Sequence, residues 1–222
     1  MSVKPRKYSM FSREFRNLTD KLSSALAGPL PGPQIRERML ARVRLPVVLP
    51  NAPETATAAA VLILLHRVDG EICFYLTERT DTVENHKGQV SLPGGAREAD
   101  EELADTARRE TREEIGVPEP AVNIIGELTP LYVPFTGFMI HPFVGWIDPP
   151  PATRADPREV RTLFGATLRD LLDDRREKSE VREIRGYTVD VPYYSLNGHK
   201  VWGATAMILT EFKQLLKDLG DW

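Results

Sequence analysis

Two apolar runs, AAVLILLHRV at residues 59–68 and EICFYLTER at 71–79, are separated only by Asp69-Gly70. That pair readily supplies the positive φ angles of a tight turn, so the two runs must form adjacent antiparallel strands. Further strands are expected around QVSL (89–92), at about 121–132, 138–148 and 186–195. Helices are expected over about 12–27, where Phe15, Leu18, Leu22 and Leu26 recur at helical spacing, and over 34–43, 101–115, 166–173 and 203–218. The last carries Ile208, Phe212, Leu215, Leu216 and Leu219 on one face. Strands interleaved with helices make this a mixed α/β (α+β) chain. The two N-terminal helices, parted by GPLPGP and followed by LPNAPET, read as an arm and linker over 1–52 that packs on a main domain over 53–222. The proline-rich stretch DPPPATRADPRE (148–159) reads as a loop that shapes the rim of a site.

Composition narrows the chemistry. At 222 residues and 41% hydrophobic content the chain can bury a sizeable core. A net charge of −3 provides no basic field for nucleic acid or anionic lipid. Cys73 is the only cysteine and lies in an apolar run, which excludes an intramolecular disulfide framework and a thiolate zinc site and fits a reducing, cytoplasmic compartment. No apolar run has membrane-spanning length. The histidines at 66, 86, 141 and 199 lack metal-ligand spacing, and there is neither a G-x-S-x-G elbow nor a G-K-[ST] phosphate loop.

The segment GGAREADEELADTARRETREEIGV (94–117) crowds Glu110, Glu113 and Glu114 into five residues before Gly116. On a helix, Leu103, Ala104, Ala107, Thr111 and Ile115 form the inward stripe, and Asp105, Arg108, Arg109 and Arg112 point outward. Glu110 and Glu114 lie on the flank of the inward stripe, one turn apart, where like charges repel and water is partly excluded. A hard divalent cation offsets that repulsion, since Mg²⁺ takes carboxylate oxygens and bridges to substrate phosphates.

The segment resembles the Nudix box, G-x5-E-x7-R-E-U-x-E-E-x-G-U with U apolar, at Gly95, Glu101, Arg109, Glu110, Glu113, Glu114, Gly116 and Val117, with Thr111 where the family prefers an aliphatic. The resemblance implies a Nudix-type α/β/α sandwich with a mixed central sheet. It also implies metal-dependent hydrolysis of a nucleoside-diphosphate linkage, with Mg²⁺ or Mn²⁺ as cofactor. By the same resemblance Glu110 and Glu114 are the principal metal ligands, Gly95 lends a backbone carbonyl, and Glu113 is a further ligand or the base that orients the attacking water. Glu101 and Arg109 brace loop against helix, and Gly94 and Gly95 permit the tight turn beside the metal.

Upstream, YLTERTDTVENHKGQVSLPGG (75–95) is similar to the signature of the coenzyme A diphosphatase branch, L-L-T-x-R-[SA]-x3-R-x3-G-x3-F-P-G-G, departing at Tyr75, Thr80, Glu84 and Leu92. VWGATAMIL (201–209) and DPREV (156–160) resemble two further segments of that branch. Coenzyme A or an acyl-coenzyme A is therefore the expected substrate, with Arg79, His86 and Lys87 as candidate contacts, Glu84 as a charge reversal, and Glu159 as an added catalytic candidate. Trp202 is read as core packing. Another nucleotide such as ADP-ribose or a dinucleotide, and a catalytically silent binding module, remain as alternatives. The expected partner is a small nucleotide, with no nucleic acid and no membrane, and a homodimer is compatible with the chain.

Overall fold

The computed structural model describes residues 6–43, 52–80, 88–184 and 186–221. Helix α1 (Arg6–Leu26) leads through a 3-10 segment, Pro33–Met39, to the short strand β1 (Arg42–Val43). There follow β2 (Thr57–Val68), β3 (Glu71–Arg79), β4 (Val90–Ser91), β5 (Gly94–Ala96), α2 (Leu103–Ile115), β6 (Asn123–Glu127), β7 (Leu131–Val133) and β8 (Phe138–Trp146). The chain continues through β9 (Val160–Thr167), α3 (Leu168–Leu172), β10 (Glu177–Ile184), β11 (Tyr187–Leu196), β12 (His199–Trp202) and α4 (Gly203–Asp218).

The β2–β3 hairpin forms at Asp69 and Gly70, both at positive φ (51° and 85°), as the two-residue turn requires. These strands seed an eight-stranded sheet whose main path runs β4-β3-β2-β8-β6, with β5 on β2, β7 on β8 and β9 on β3. The β2–β8 pair is parallel and the other pairs antiparallel, so the sheet is mixed. Alternation along β2 divides the core. Ala60, Leu62 and Leu64 meet Ala107 and Ile115 of α2 on one face, and Ile63 and Leu65 join α1 and α4 on the other. The result is a helix–sheet–helix sandwich.

Helix α1 buries Phe15, Leu18, Leu22 and Leu26 in that second face, and Phe15 meets Trp146 edge-on at 6.0 Å. Its approach depends on Gly126, where a Cβ would lie 2.6 Å from Leu26 Cβ. The arm is also clasped by a buried ion pair. Arg36 pairs with Glu211 of α4 and donates to the carbonyls of Thr129 and Pro130, while Glu211 accepts from the Thr129 hydroxyl at 2.6 Å.

Several expectations are corrected. The helix at 34–43 is a 3-10 segment followed by a strand. The single strand at 121–132 divides at Thr129-Pro130, because Pro130 has no N–H for the ladder and Thr129 turns to Glu211. The single strand at 186–195 belongs to a second, four-stranded antiparallel sheet of β1, β10, β11 and β12. Strand β10, EKSEVREI, is too polar to show a buried period, and its Val181 stays 72% exposed. Trp202 is only half-buried and lies under the Arg182 guanidinium, 4.7 Å from the ring centre.

Candidate active site

Helix α2 buries Thr106, Ala107, Thr111, Glu114 and Ile115, and ends at Gly116 in the left-handed region (φ 75°), whose N–H bonds the Arg112 carbonyl. The hydroxyl of buried Thr111 donates to the Ala107 carbonyl at 2.7 Å, so its departure from an aliphatic leaves no polar atom stranded. The next two orphan carbonyls at the helix end, of Glu114 and Ile115, accept from the backbone N–H groups of Asp156 and Arg154, both at 2.9 Å. The proline-rich stretch is thus a strap across the end of α2. Its far end is fixed by the Thr80 N–H donating to the Glu159 carbonyl at 2.9 Å, which sets Glu159 beside Arg79.

Arg109 does not point outward as the helical projection implied. Its guanidinium folds back onto Glu101, Nε to Oε1 at 2.9 Å and Nη2 to Oε2 at 3.2 Å, and also donates to the Ala96 carbonyl. Through Nη1 it reaches Glu110 at 2.8 Å and Glu113 at 3.1 Å. One arginine therefore bridges the loop, the helix and two of the clustered carboxylates, and it offsets part of their mutual repulsion. Thr106, which the sequence reading passed over, donates to Glu101 Oε2 at 2.8 Å from a fully buried position. Its spacing of four residues from Glu110 is that of ordinary helix packing, so no sequence signal marks it. The Arg109 guanidinium, aided by Thr106, holds the Glu101 carboxyl below its usual range.

The three glutamates differ in environment. Glu113 is half-exposed and shared between Arg109 and Arg112. Glu110 is largely buried and lies against Gly95, where a Cβ would come 2.5 Å from its carboxyl carbon. Burial raises its pKa, and Arg109 opposes the shift. Glu114 is 2% exposed and its Oε2 has no hydrogen-bond partner. Burial pushes its carboxyl up to about 8, against the Arg79 guanidinium and with the charges of Glu110 and Glu159 adding to the rise. Arg79 Nη1 stands 3.7 Å from Glu114 Oε1, inside the site. Gly94, at φ 154°, passes so close to β2 that a Cβ would sit 2.3 Å from the Ala60 carbonyl oxygen. His86, Lys87 and Glu84 lie outside the described residues.

Among the described residues no three acidic, cysteine or histidine groups already converge as a complete metal cage. The parts nevertheless fit a hard divalent cation. The donors are carboxylate oxygens, one buried oxygen is orphaned, and only glycine leaves room for the Glu110 carboxylate beside the β5 backbone.

A mixed sheet between helix layers carries an arginine-braced glutamate helix beside a Gly-Gly strand. The NUDIX domain family model matches residues 56–197, more than half of the chain, and the chain belongs to that family. It is a Nudix pyrophosphohydrolase acting on a nucleotide diphosphate linkage, in a family that generally requires divalent metal. The curated relatives include an uncharacterized Nudix hydrolase, NudL, of Photorhabdus laumondii, 33% identical over 63% of this chain and 74% of that protein. They also include the human mitochondrial coenzyme A diphosphatase NUDT8, 35% identical over 70% of this chain and 67% of that protein. Among solved structures, the Nudix hydrolase RenU of M. smegmatis superposes with a TM-score of 0.53 at 17% identity, covering 73% of this chain and 87% of that one, a likeness of fold.

Proposed function

We propose that the chain hydrolyses coenzyme A or its acyl thioesters to 3′,5′-ADP and (acyl-)phosphopantetheine. The observation that carries this reading is Arg79: a residue of the upstream coenzyme A signature stands 3.7 Å from the most buried box glutamate. The similarity to a human coenzyme A diphosphatase supports the same substrate class.

Glu110, Glu114 and the Gly95 carbonyl are the proposed holders of Mg²⁺ or Mn²⁺, with Glu113 as a further ligand. A cation held by these residues would supply Lewis-acid polarisation of the phosphoryl oxygens and would acidify the attacking water. Glu114 Oε2 is suited to the role because burial leaves it without another partner. Arg79 donates to a non-bridging diphosphate oxygen. Glu113, the most exposed of the three clustered glutamates, orients the attacking water or takes its proton, and Glu159 on the strap is a second acceptor. The new P–O bond forms as the bridging P–O bond breaks, and no covalent enzyme intermediate is needed. Glu101 and Arg109 hold the β5 loop against α2 so that these groups keep their spacing.

The test is mass identification of products from coenzyme A and ADP-ribose offered at equal concentration with Mg²⁺. Release of 3′,5′-ADP and phosphopantetheine from coenzyme A is expected. Much faster cleavage of ADP-ribose would remove the branch assignment and leave the family assignment standing.

A further inference from the structure

Strands β5 and β8 flank β2 on opposite edges, and Gly95 and His141 are both in register with Ala60. His141 is therefore two inter-strand spacings, about 10 Å, from the Gly-Gly strand. It is also on the same face as the box carboxylates. Phe143, two residues on, belongs to the cluster packed under α2, and alternation puts His141 and Met139 on that side. Glu127 is directly opposite Phe143, and Tyr132 directly opposite Met139, so they share the face. Phe143 is buried in the cluster under α2, whereas the side chains of His141 and Glu127 are 21% and 35% exposed and Tyr132 and Met139 are half-buried.

This stripe has a definite polarity. His141 Nδ1 lies 2.7 Å from Glu127 Oε1, so with the carboxylate accepting, Nδ1 donates and Nε2 is left as the ring's second polar atom. Glu127 adds carboxylate acceptors and a negative charge. Tyr132 and Met139 supply an aromatic face and a thioether, and the turn beyond Tyr132 extends the apolar surface with Phe135, 74% exposed. Acceptor-rich, apolar and negative, the stripe repels a phosphate and suits an uncharged group bearing methyls and N–H or O–H donors.

We infer that this stripe seats the pantetheine arm of the substrate, its branched dimethyl group against Tyr132 and Met139 and an amide N–H or the hydroxyl donating to His141 Nε2. The inference rests on the coenzyme A reading. Of the two arms that leave the diphosphate, the adenosine arm carries a 3′-phosphate that Glu127 would repel, and the pantetheine arm carries the matching donors and no charge. His141 is then a specificity-determining contact outside the catalytic group, and it discriminates through binding.

Product inhibition of coenzyme A hydrolysis separates the two arms. In the full-length protein with Mg²⁺, the inhibition constants of 4′-phosphopantetheine and 3′,5′-ADP are measured for wild type, His141→Ala and His141→Gln. His141→Ala should raise the phosphopantetheine constant about fivefold or more, the scale of one neutral hydrogen bond, and leave that of 3′,5′-ADP unchanged. The change should fall on KM more than on kcat. His141→Gln keeps an acceptor near the Nε2 position and should recover part of the loss. Tyr132→Ala gives an independent readout with the same expected selectivity should His141→Ala lower the melting temperature. Equal shifts for both products, a shift for 3′,5′-ADP alone, or no shift each overturn the inference with the coenzyme A reading intact. Failure of the wild type to hydrolyse coenzyme A removes both together.

Discussion

Glu114 on α2 and Glu211 on α4 are both glutamates sunk almost out of reach of water, 2% and 0% exposed, on opposite faces of the same sheet. Their surroundings differ in one respect. Glu211 has an arginine against it and the hydroxyl and N–H of Thr129 donating to it. Glu114 has an arginine only at 3.7 Å and one oxygen with no donor at all. The Glu211 carboxylate, with a donor on each oxygen, holds elements together, here the N-terminal arm to the last helix. A buried glutamate whose partners are incomplete is disposed to take a ligand, and burial pushes the Glu114 carboxyl up to about 8. The family's divalent-metal requirement supplies a cation of the right kind.

Substitution at each glutamate should have opposite consequences. Glu211→Ala strands the Arg36 guanidinium in the core and should cost about 3–5 kcal/mol in denaturant unfolding, with turnover per folded molecule unchanged. Replacing Arg36 and Glu211 together by Met and Leu should recover much of that loss. If the single variant unfolds at the wild-type midpoint, the clasp is not what ties the arm down.

Glu114→Gln should lower kcat by about 10²–10³-fold, the scale of one charge-stabilising group, and Glu110→Gln similarly. In chelator, Glu114→Gln should be no less stable than wild type, because the amide relieves the burial penalty on a carboxyl whose Oε2 has no donor. Added Mg²⁺ should raise the melting temperature of wild type and not of the variant. Turnover near the wild-type rate would end the metal-ligand assignment.

His66 is the cationic counterpart of these two buried acids. It is buried with its ring stacked on Tyr75 at 3.8 Å, and burial lowers its pKa to about 4, with the Leu64 carbonyl only partly opposing. The folded state therefore keeps the ring neutral where the unfolded chain, with an ordinary pKa near 6.5, takes up a proton. Its contribution is full above about pH 6.5 and is lost as pH falls through about 4. Unfolding measured at pH 7 and pH 4.5 should show that loss in wild type and a smaller one in His66→Phe.

The smallest effect is at Thr111. Thr111→Val keeps the shape and removes a hydroxyl whose acceptor already serves the helix, so stability should change by less than about 1 kcal/mol and activity not at all. A large loss of activity would mean that this hydroxyl matters to the site.

Helical spacing alone marked Glu110 and Glu114 as flanking the core, because the 100° step per residue is local geometry and needs no knowledge of the rest of the chain. The same rule sent Arg109 outward, and it failed because a long side chain can fold back to a carboxylate supplied by a preceding loop. Asp69-Gly70 likewise announced its hairpin, since the turn's positive φ angles are written in two residues. Strand β10 announced nothing, because an exposed hairpin arm has no apolar face to show.

Short windows of residues are enough to specify the local structures and the chemistry of the box: hairpin, helix, glycine stop, and carboxylates at fixed spacing. Which carboxylate is left with an orphaned oxygen, which arginine answers which glutamate, and that His141 faces Glu127 across fourteen residues all follow from the folded packing. The physical reason is that burial and pairing are set by non-local packing. Desolvation depends on everything that surrounds a group, and β8 meets its neighbours only through a register that no short window of sequence contains.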